Sequence, residues 1–268
     1  MANGGPRQEE GLESHHQLVQ LTARIETSHG PLRGKVTVYT GPTRLAELVP
    51  PLQALTEGLV GLVLSREQRA GRQISCKAGC GACCRQMVAL SVPEAFYLRD
   101  LVASLPAERR QVVSERFAYV VGKLERHGLS TRLQKSDVSD EDYLQITQEY
   151  FRLQLPCPFL EKESCTIYPA QPLACREYLV TTPAAWCADP YAHPVKRPKP
   201  AVAVPVVLAR LSADLFGLPA RLIPLTLALR WAADHPDLHQ RTWPGRWLFE
   251  RLLAHFNSPE RADPADDG

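Results

Sequence analysis

Apolar and polar residues alternate along the chain from Leu18 onward. Apolar residues occupy every second position from Val19 to Ile25, which is typical of a strand with one buried face. Turn-forming residues follow at 28–31, and residues 36–39 can return as a partner strand. The pattern therefore predicts a small β-hairpin near the N-terminus.

Most of the remaining chain has the three-to-four-residue apolar spacing of helices. Thr43 is a candidate N-cap for a helix that reaches about Arg69. Pro50 and Pro51 mark the place where this helix is expected to bend if it is not straight. Further helices are predicted over 93–103, from 104–106 to a stop at Gly128, over 140–153, and in about three C-terminal segments, the last around 247–256. The apolar positions of these helices include Leu52, Leu55, Leu59, Leu62, Val63, Val113, Phe117, Val120, Leu124, Tyr143, Ile146 and Tyr150.

These elements predict a mainly α protein of the α+β type, a helical domain with one small N-terminal β-hairpin. Residues 17–257 are expected to form a single globular domain. Residues 1–16 are polar and are expected to be a disordered tail, as is the acidic segment 258–268. The length of 268 residues, with 44% hydrophobic and 22% charged residues, suffices for a core without cross-links.

Charge and hydropathy limit the classes of partner. The formal net charge is only +2 with scattered basic residues, so no nucleic-acid partner is predicted. The apolar stretch 201–234 is interrupted by charged residues and prolines, so no membrane partner is predicted either. The N-terminal residues lack the apolar core of a secretory signal, and a cytoplasmic location is expected.

Eight cysteines lie between positions 76 and 187 and nowhere else in the chain. Thiols gathered in this way form disulfides or bind metal. A reducing cytoplasm disfavours structural disulfides, so metal binding is the stronger interpretation. The ligand candidates are Cys76, Cys80, Cys83, Cys84, Cys157, Cys165, Cys175 and Cys187.

The spacing of the first three cysteines lets one short loop wrap around a metal centre. Gly79 and Gly81 flank Cys80 and are expected to free the backbone for positive φ. Cys84 follows Cys83 directly, and the side chains of neighbouring residues diverge. Cys84 is therefore expected to bind a second metal or to lie next to the ligands without binding the metal itself. Cationic neighbours able to offset the charge of a buried centre are Lys77, Arg85 and Arg176.

The cysteine motifs resemble those of a bacterial cysteine-cluster family described as zinc- or iron-chelating proteins, to which the cluster of flagellin lysine N-methylases is related. The matching strings are Cys-x3-Cys-Gly-Ala-Cys-Cys, Cys-Pro-Phe-Leu, Cys-Thr-Ile-Tyr and Pro-Leu-Ala-Cys-Arg-Glu-Tyr. The resemblance covers 76–187 and implies that all eight cysteines are ligands, with the flanks of Cys187 matching least. Gln171 stands where the family usually has arginine, which puts a charge-compensating role of that position in doubt.

Three functions follow as hypotheses. The first is a protein that holds an iron–sulfur cluster or zinc through up to eight thiolates, for redox chemistry or metal handling. The second, implied by the resemblance, is an S-adenosylmethionine-dependent protein-lysine N-methylase. The third is a structural zinc module that presents loops to a protein partner. The spacing of the first three cysteines also resembles the radical S-adenosylmethionine signature, although the predicted helical fold lacks the β/α units of that class. Spacing alone does not separate zinc from iron.

Overall fold

A computed structural model describes residues 17–135 and 139–258. The predicted tail at 1–16 and all of the predicted tail at 258–268 except Ser258 lie outside the described residues. Within those residues the fold has ten α-helices and four two-stranded antiparallel sheets, which confirms the mainly α, α+β prediction. The division of the chain into one domain and two tails stays a prediction.

The predicted hairpin is present. Strand β1 (Leu18–Ile25) pairs along its whole length with β2 (Leu32–Tyr39) in antiparallel register. Gly30 in the connecting turn has a φ of 108°, which favours glycine. Alternate side chains such as Ala23 and Ile25 are buried, so the period of two does mark the core-facing side.

The prediction of Thr43 as an N-cap is wrong. Thr43 lies in strand β3 (Pro42–Arg44), which is paired with a strand some 200 residues later in the sequence. A 3-10 turn follows over Leu45–Leu48, and helix α1 (Val49–Arg69) begins only there, with both prolines in its first turn. The first turn has no intrahelical N–H bonds to lose, so the prolines start the helix instead of bending it.

Helix α1 belongs to the hydrophobic core. Its predicted apolar stripe is buried at Leu52, Leu55, Leu59 and Val63, whereas Leu62 is partly buried. Among the described residues one helical stretch, 45–69, is long and apolar enough to cross a membrane by length and composition. Core helices of soluble proteins pass the same test, and the packing of α1 against β2 is that of a core helix.

The central helices largely follow the sequence pattern. They are α2 (Val92–Ser104), α3 (Ala107–Arg126), α4 (Leu129–Leu133) and α5 (Asp140–Arg152). Gly128 ends α3 in the left-handed region, at a φ of 68°, as predicted. In α5, Ile146 and Tyr150 are buried but Tyr143 is exposed, because the apolar face of this helix is narrower than the spacing indicated.

The segment 157–187, which carries the last four cysteines and is called the second cysteine block, is built from very short elements joined by loops. They are strands β5 (Leu160–Glu161) and β6 (Ser164–Cys165), 3-10 turns at Tyr168–Ala170 and Ala184–Ala188, and helix α6 (Leu173–Glu177). Cys175 therefore lies on a helix and Cys165 on a strand. Helix α6 packs against α1 and the following helix, which anchors the block to the core.

Four helices complete the described fold, where about three were predicted. The helices are α7 (Val204–Phe216), α8 (Ala228–Asp234), α9 (Pro236–Gln240) and α10 (Gly245–Phe256). Between them lie strand β7 (Leu222–Pro224), a 3-10 turn at Leu225–Leu227, and strand β8 (Thr242–Pro244). Strand β7 pairs with β4 (Ala89–Ser91), which precedes α2, and β8 pairs with β3. Helix α10 packs under the N-terminal hairpin and against α7.

Candidate metal centre

The two cysteine-bearing segments meet in the fold. The Ser75 N–H donates to the carbonyl of Val180 at 2.9 Å, and the Cys157 N–H donates to the carbonyl of Cys84 at 2.7 Å. The first bond joins the loop before Cys76 to the chain between Cys175 and Cys187. The second bond joins the end of the 76–84 segment to the start of the 157–187 segment. Residues about 70 to 100 positions apart in sequence are thus held side by side.

Side chains add a second set of links between the same segments. The Gln86 amide donates to the carbonyl of Cys187 at 2.8 Å. Arg85 forms a bidentate pair with the Glu163 carboxylate, at 2.7 and 3.0 Å. Glu163 lies in the tight turn between β5 and β6, where it and Lys162 both have positive φ. Such strain in non-glycine residues persists only where surrounding contacts hold it.

The two glycines around Cys80 serve different purposes. Gly79 has a φ of 83° in the turn closed by the hydrogen bond from the Cys80 N–H to the Lys77 carbonyl, as predicted. Gly81 is not among the described residues with positive φ, so that part of the prediction is wrong. Glycine is needed at this position because there is no room for a side chain: a Cβ at Gly81 would lie 2.6 Å from the carbonyl oxygen of Glu163.

Five of the eight cysteines line a single cavity of about 300 Å³, the cysteine cavity. They are Cys76, Cys80, Cys83, Cys175 and Cys187. Cys187 is buried and the other four are half-buried. The cavity thus receives thiols from the first run, from α6 and from the 3-10 turn at 184–188. A set of five thiols on loops held by backbone bonds is a donor set that fits a thiolate-bound metal.

The other three cysteines lie outside the lining of this cavity. Cys157 and Cys165 pack against the hydrophobic cluster of α2, α3 and α8. Cys84 is a free thiol close enough to the Cys83 thiol to raise its pKa. Cys83 lines the cavity and Cys84 does not, but the proximity of their thiols does not agree with the expectation that the two side chains diverge.

The environment favours the neutral form of several thiols. Burial raises the pKa of Cys76 and Cys175, and raises the pKa of Cys187 to about 11 and that of Cys157 to about 12. The pKa of Cys83 is raised by its hydrogen bond with Cys84 and by burial. Neutral thiols lack the charge that attracts a metal ion, so binding must displace their protons.

Within 17–135 and 139–258, no three or more His, Cys, Asp or Glu side chains are arranged as a group that could hold a metal ion. All eight cysteines are free thiols. The cysteine cavity therefore brings the candidate ligands to one place without closing them around a single point.

Two of the three expected cations reach the cysteine cavity, since Lys77 and Arg176 line it. Only 12% of the Arg176 side chain is exposed, and its guanidinium pairs with Glu57 at 2.9 Å. Arg85 does not line the cavity and is paired with Glu163 instead. Gln171 lines it without adding charge, so Arg176 and Lys77 are the positive groups on its wall.

Sequence reasoning missed two buried carboxylates that support the cluster. Glu94 accepts the Leu173 N–H at 2.8 Å, which fixes the start of the short helix that carries Cys175. Glu177, at the end of that helix, accepts the Val204 N–H at 2.9 Å, and burial raises its pKa to about 8. The spacing of Ser91 and Glu94 is that of a capping box, which could have identified Glu94 from sequence.

A larger cavity, of about 420 Å³, lies between the N-terminal hairpin and α1. No cysteine lines it, so its donor set offers nothing for a soft metal. The cysteine cavity is therefore the stronger candidate site. Comparison of the chain with protein-family models, with curated proteins and with solved structures gives no match, so the family resemblance rests on the motif residues alone.

Proposed function

We propose that this chain is a cytoplasmic metal-binding protein whose cysteine cavity holds a thiolate-bound centre, an iron–sulfur cluster or zinc, for redox chemistry or metal handling. The observation that carries the proposal is the convergence of five thiols from two distant segments on one cavity of about 300 Å³. Free cysteines that merely fill a core would pack separately among apolar side chains.

The donor set suits either kind of centre. A tetrahedral zinc ion binds four sulfurs at about 2.3 Å, whereas an iron–sulfur cluster fills the space between its thiolates with iron and sulfide. Because thiolates are ligands of both, metal analysis decides between them.

We assign the principal ligands to Cys76, Cys80, Cys83 and Cys187. All four line the cavity, and the three cysteines of the first run contribute to the raised pKa of Cys187. Cys175 lines the same cavity, and Cys157 and Cys165 contribute to its raised pKa. With Cys84, these three form the set for a second centre, since eight thiolates suffice for two four-sulfur sites.

Positive charge near the cavity supports a centre that is formally anionic. Four thiolates leave an oxidised four-iron cluster or a zinc ion with about two negative charges. Lys77 offsets part of that charge, whereas the little-exposed Arg176 lines the cavity together with its ion-pair partner Glu57, which balances its charge. Half-buried ligands such as Cys76 and Cys80 leave one side of the site accessible, which suits exchange of electrons or of metal.

The deciding experiment is metal and sulfide analysis of freshly purified protein, with an anaerobic visible spectrum. An iron–sulfur centre gives a brown protein that bleaches with dithionite or in air, with iron and sulfide in similar amounts. A zinc centre gives a colourless protein that releases zinc to chelators. Full-length protein that binds neither metal after anaerobic reconstitution overturns the proposal.

Replacement of one ligand tests the assignment. Cys80→Ser is expected to lose most of the bound metal, because the loop between Cys76 and Cys83 then presents one thiolate fewer. Ala78→Ser is the matched control, since it places the same hydroxyl in the same exposed turn without removing a thiol. Metal content in Cys80→Ser equal to that of the control would show that Cys80 is no ligand.

The methylase hypothesis is tested separately by calorimetry of the metal-loaded protein with S-adenosylmethionine. The structural-zinc hypothesis is tested by the same metal analysis, followed by a search for a protein partner that binds only the zinc-loaded form. Absence of heat on titration with S-adenosylmethionine would remove the methylase and leave the metal-binding proposal unaffected.

A further inference from the structure

A second cavity, of about 360 Å³, lies beside the cysteine cavity and has a different character. Its walls carry the rings of Tyr143, Phe151, Tyr178 and Tyr191, and we name it the tyrosine cavity. Two of the tyrosines, Tyr143 and Tyr191, are about half exposed, at 49% each. Aromatic side chains left open to solvent around a concave surface are typical of ligand sites.

Two of these rings contact each other, and a third lies beside an arginine. Phe151 and Tyr191 have centroids 5.2 Å apart with an angle of 58° between their planes, so the two rings are tilted and not stacked on each other. Tyr178 forms part of the wall, and the guanidinium of Arg197 lies 5.7 Å from the centre of its ring. Planar aromatic ligands gain most where they can stack on such faces.

The charge of the cavity is positive. Arg197 is exposed and contributes to the lining, whereas the lining includes no Asp or Glu of the described residues. No carboxylate in the described part of the chain forms a salt bridge with Arg197. A cationic ligand would be repelled by this guanidinium, although aromatic rings alone would attract it. An anionic group would gain a charge-assisted hydrogen bond.

We propose that the tyrosine cavity binds a planar aromatic molecule that carries an anionic group. The ring system would stack on Tyr191, and the anionic group would pair with Arg197. Gln86 and Thr147 lie in the same lining, and because their donors are engaged by the carbonyls of Cys187 and Leu144, their side-chain oxygens are left to accept hydrogen bonds from the ring edge. No cysteine contributes to this lining, so the ligand site does not rest on the proposed metal centre.

One tyrosine separates the two cavities. Tyr178 lines both of them. A ligand in the tyrosine cavity would therefore have the Tyr178 ring between it and the cysteine cavity. The ligand and the cysteines would be neighbours without direct contact.

The test uses flavin mononucleotide as the planar anionic probe and riboflavin as its uncharged counterpart, each titrated by calorimetry into the full-length protein as purified. We expect saturable 1:1 binding of flavin mononucleotide. Arg197→Gln should weaken that binding about tenfold, the loss of one charge-assisted hydrogen bond, and leave riboflavin binding unchanged. Tyr191→Ala should weaken both probes.

The matched control is Arg251→Gln, which removes another arginine placed over an aromatic ring, Trp247, far along the chain at α10. It should change neither titration. No saturable binding of flavin mononucleotide, or equal weakening by Arg197→Gln and Arg251→Gln, would overturn the proposal. Both arginines and Tyr191 are exposed, so these variants are expected to fold.

Discussion

Gly81 is a residue at which the two cysteine segments approach each other too closely for a side chain. A side chain there would lie 2.6 Å from the Glu163 carbonyl and 2.7 Å from Leu160 Cδ1. The Glu163 carbonyl belongs to a tight turn that is already strained, so it cannot easily move away. The approach of the two segments therefore depends on the absence of one methyl group.

We predict that Gly81→Ala separates the segments and destabilises the protein by about 1–3 kcal/mol, the usual cost of forcing extra volume into a packed site. Retention of metal should fall with it, because the thiols of Cys80 and Cys83 would move away from Cys187. Chemical denaturation and metal analysis of the variant measure the two effects.

Gly61→Ala is the control for this prediction. Gly61 lies inside α1, where an added Cβ meets nothing within 4 Å. Alanine is the better helix former by about 1 kcal/mol, so this variant should be as stable as the parent or more so. Equal stability of Gly81→Ala and Gly61→Ala would contradict the close approach at Gly81.

Local chemistry made part of the site predictable at this scale. The left-handed turn at Gly79 follows from the glycine itself, and the cysteines from their spacing. The need for Gly81 arises from a neighbour 82 residues later, which no local pattern reveals. Lys77, Arg85 and Arg176 were all expected near the metal site because each adjoins a cysteine, and Lys77 and Arg176 do line the cavity. Arg85 pairs instead with the Glu163 carboxylate, which is distant in sequence and could not be identified from the neighbours of Arg85.

At the scale of elements, the hairpin and the long helices were predictable because their periodicity is local and strong. Thr43 was misassigned for the opposite reason. A cap preference is a local property, whereas strand β3 exists only because β8 lies beside it. The short pieces β5, β6 and α6 are stabilised mainly by their neighbours, and a stretch rich in proline gave no periodic pattern from which to predict them.

The C-terminal end of α1 leads directly into the cysteine loop, and one ion pair fixes this connection. The Glu67 carboxylate, whose side chain is only 6% exposed, accepts two bonds from Arg72, at 2.5 and 2.9 Å. These bonds lower the pKa of Glu67. Arg72 stands four residues before Cys76, so the pair sets the direction in which the loop leaves the helix.

We predict that Glu67→Gln destabilises the protein near neutral pH by about 1 kcal/mol, because Arg72 then donates to a neutral amide oxygen instead of to a little-exposed carboxylate. The folded pKa of Glu67 lies below its unfolded value of about 4.3, so this contribution is present above that pH and is lost as pH falls through the folded pKa. The stability difference from the parent should therefore shrink in acid. Denaturation curves at several pH values measure it.

Glu250→Gln serves as the comparison, since Glu250 pairs with Arg246 on the exposed face of α10. Exposed pairs of this spacing contribute little, about 0.3–0.5 kcal/mol. Glu67→Gln and Glu250→Gln should thus differ clearly at neutral pH and less in acid. A difference that is constant down to low pH would show that the Glu67 charge is not the cause.

At the scale of the whole molecule, most of one hydrophobic core lies outside the cysteine region. The hydrophobic cluster formed by the hairpin, α1, α7 and α10 contains none of the eight cysteines and reaches their region through Leu173 on α6, whereas Cys157 and Cys165 contact the neighbouring cluster. If the cysteines hold the proposed centre, we expect the first cluster to depend on the metal less than the cysteine region does.

Removal of metal is accordingly expected to loosen one region and spare the other. In the metal-free protein, hydrogen exchange should accelerate in 75–86 and 157–187, while β1, β2 and α10 keep their protection. The melting temperature should fall, because the metal binds only the folded cysteine region. Uniform acceleration across the chain, or none at all, would contradict this division.

The pairing of β3 with β8 has a consequence for synthesis on the ribosome. Residues 42–44 cannot pair until residues 242–244 have been synthesised, and the hairpin cannot pack against α10 before then. These long-range contacts are therefore made last. Every cysteine has been translated well before that closure. A nascent chain halted shortly after Cys187 would carry the whole thiol set, with α1 against its first sheet but without the cover that α10 supplies. A chaperone that binds exposed apolar surface would meet this incomplete form.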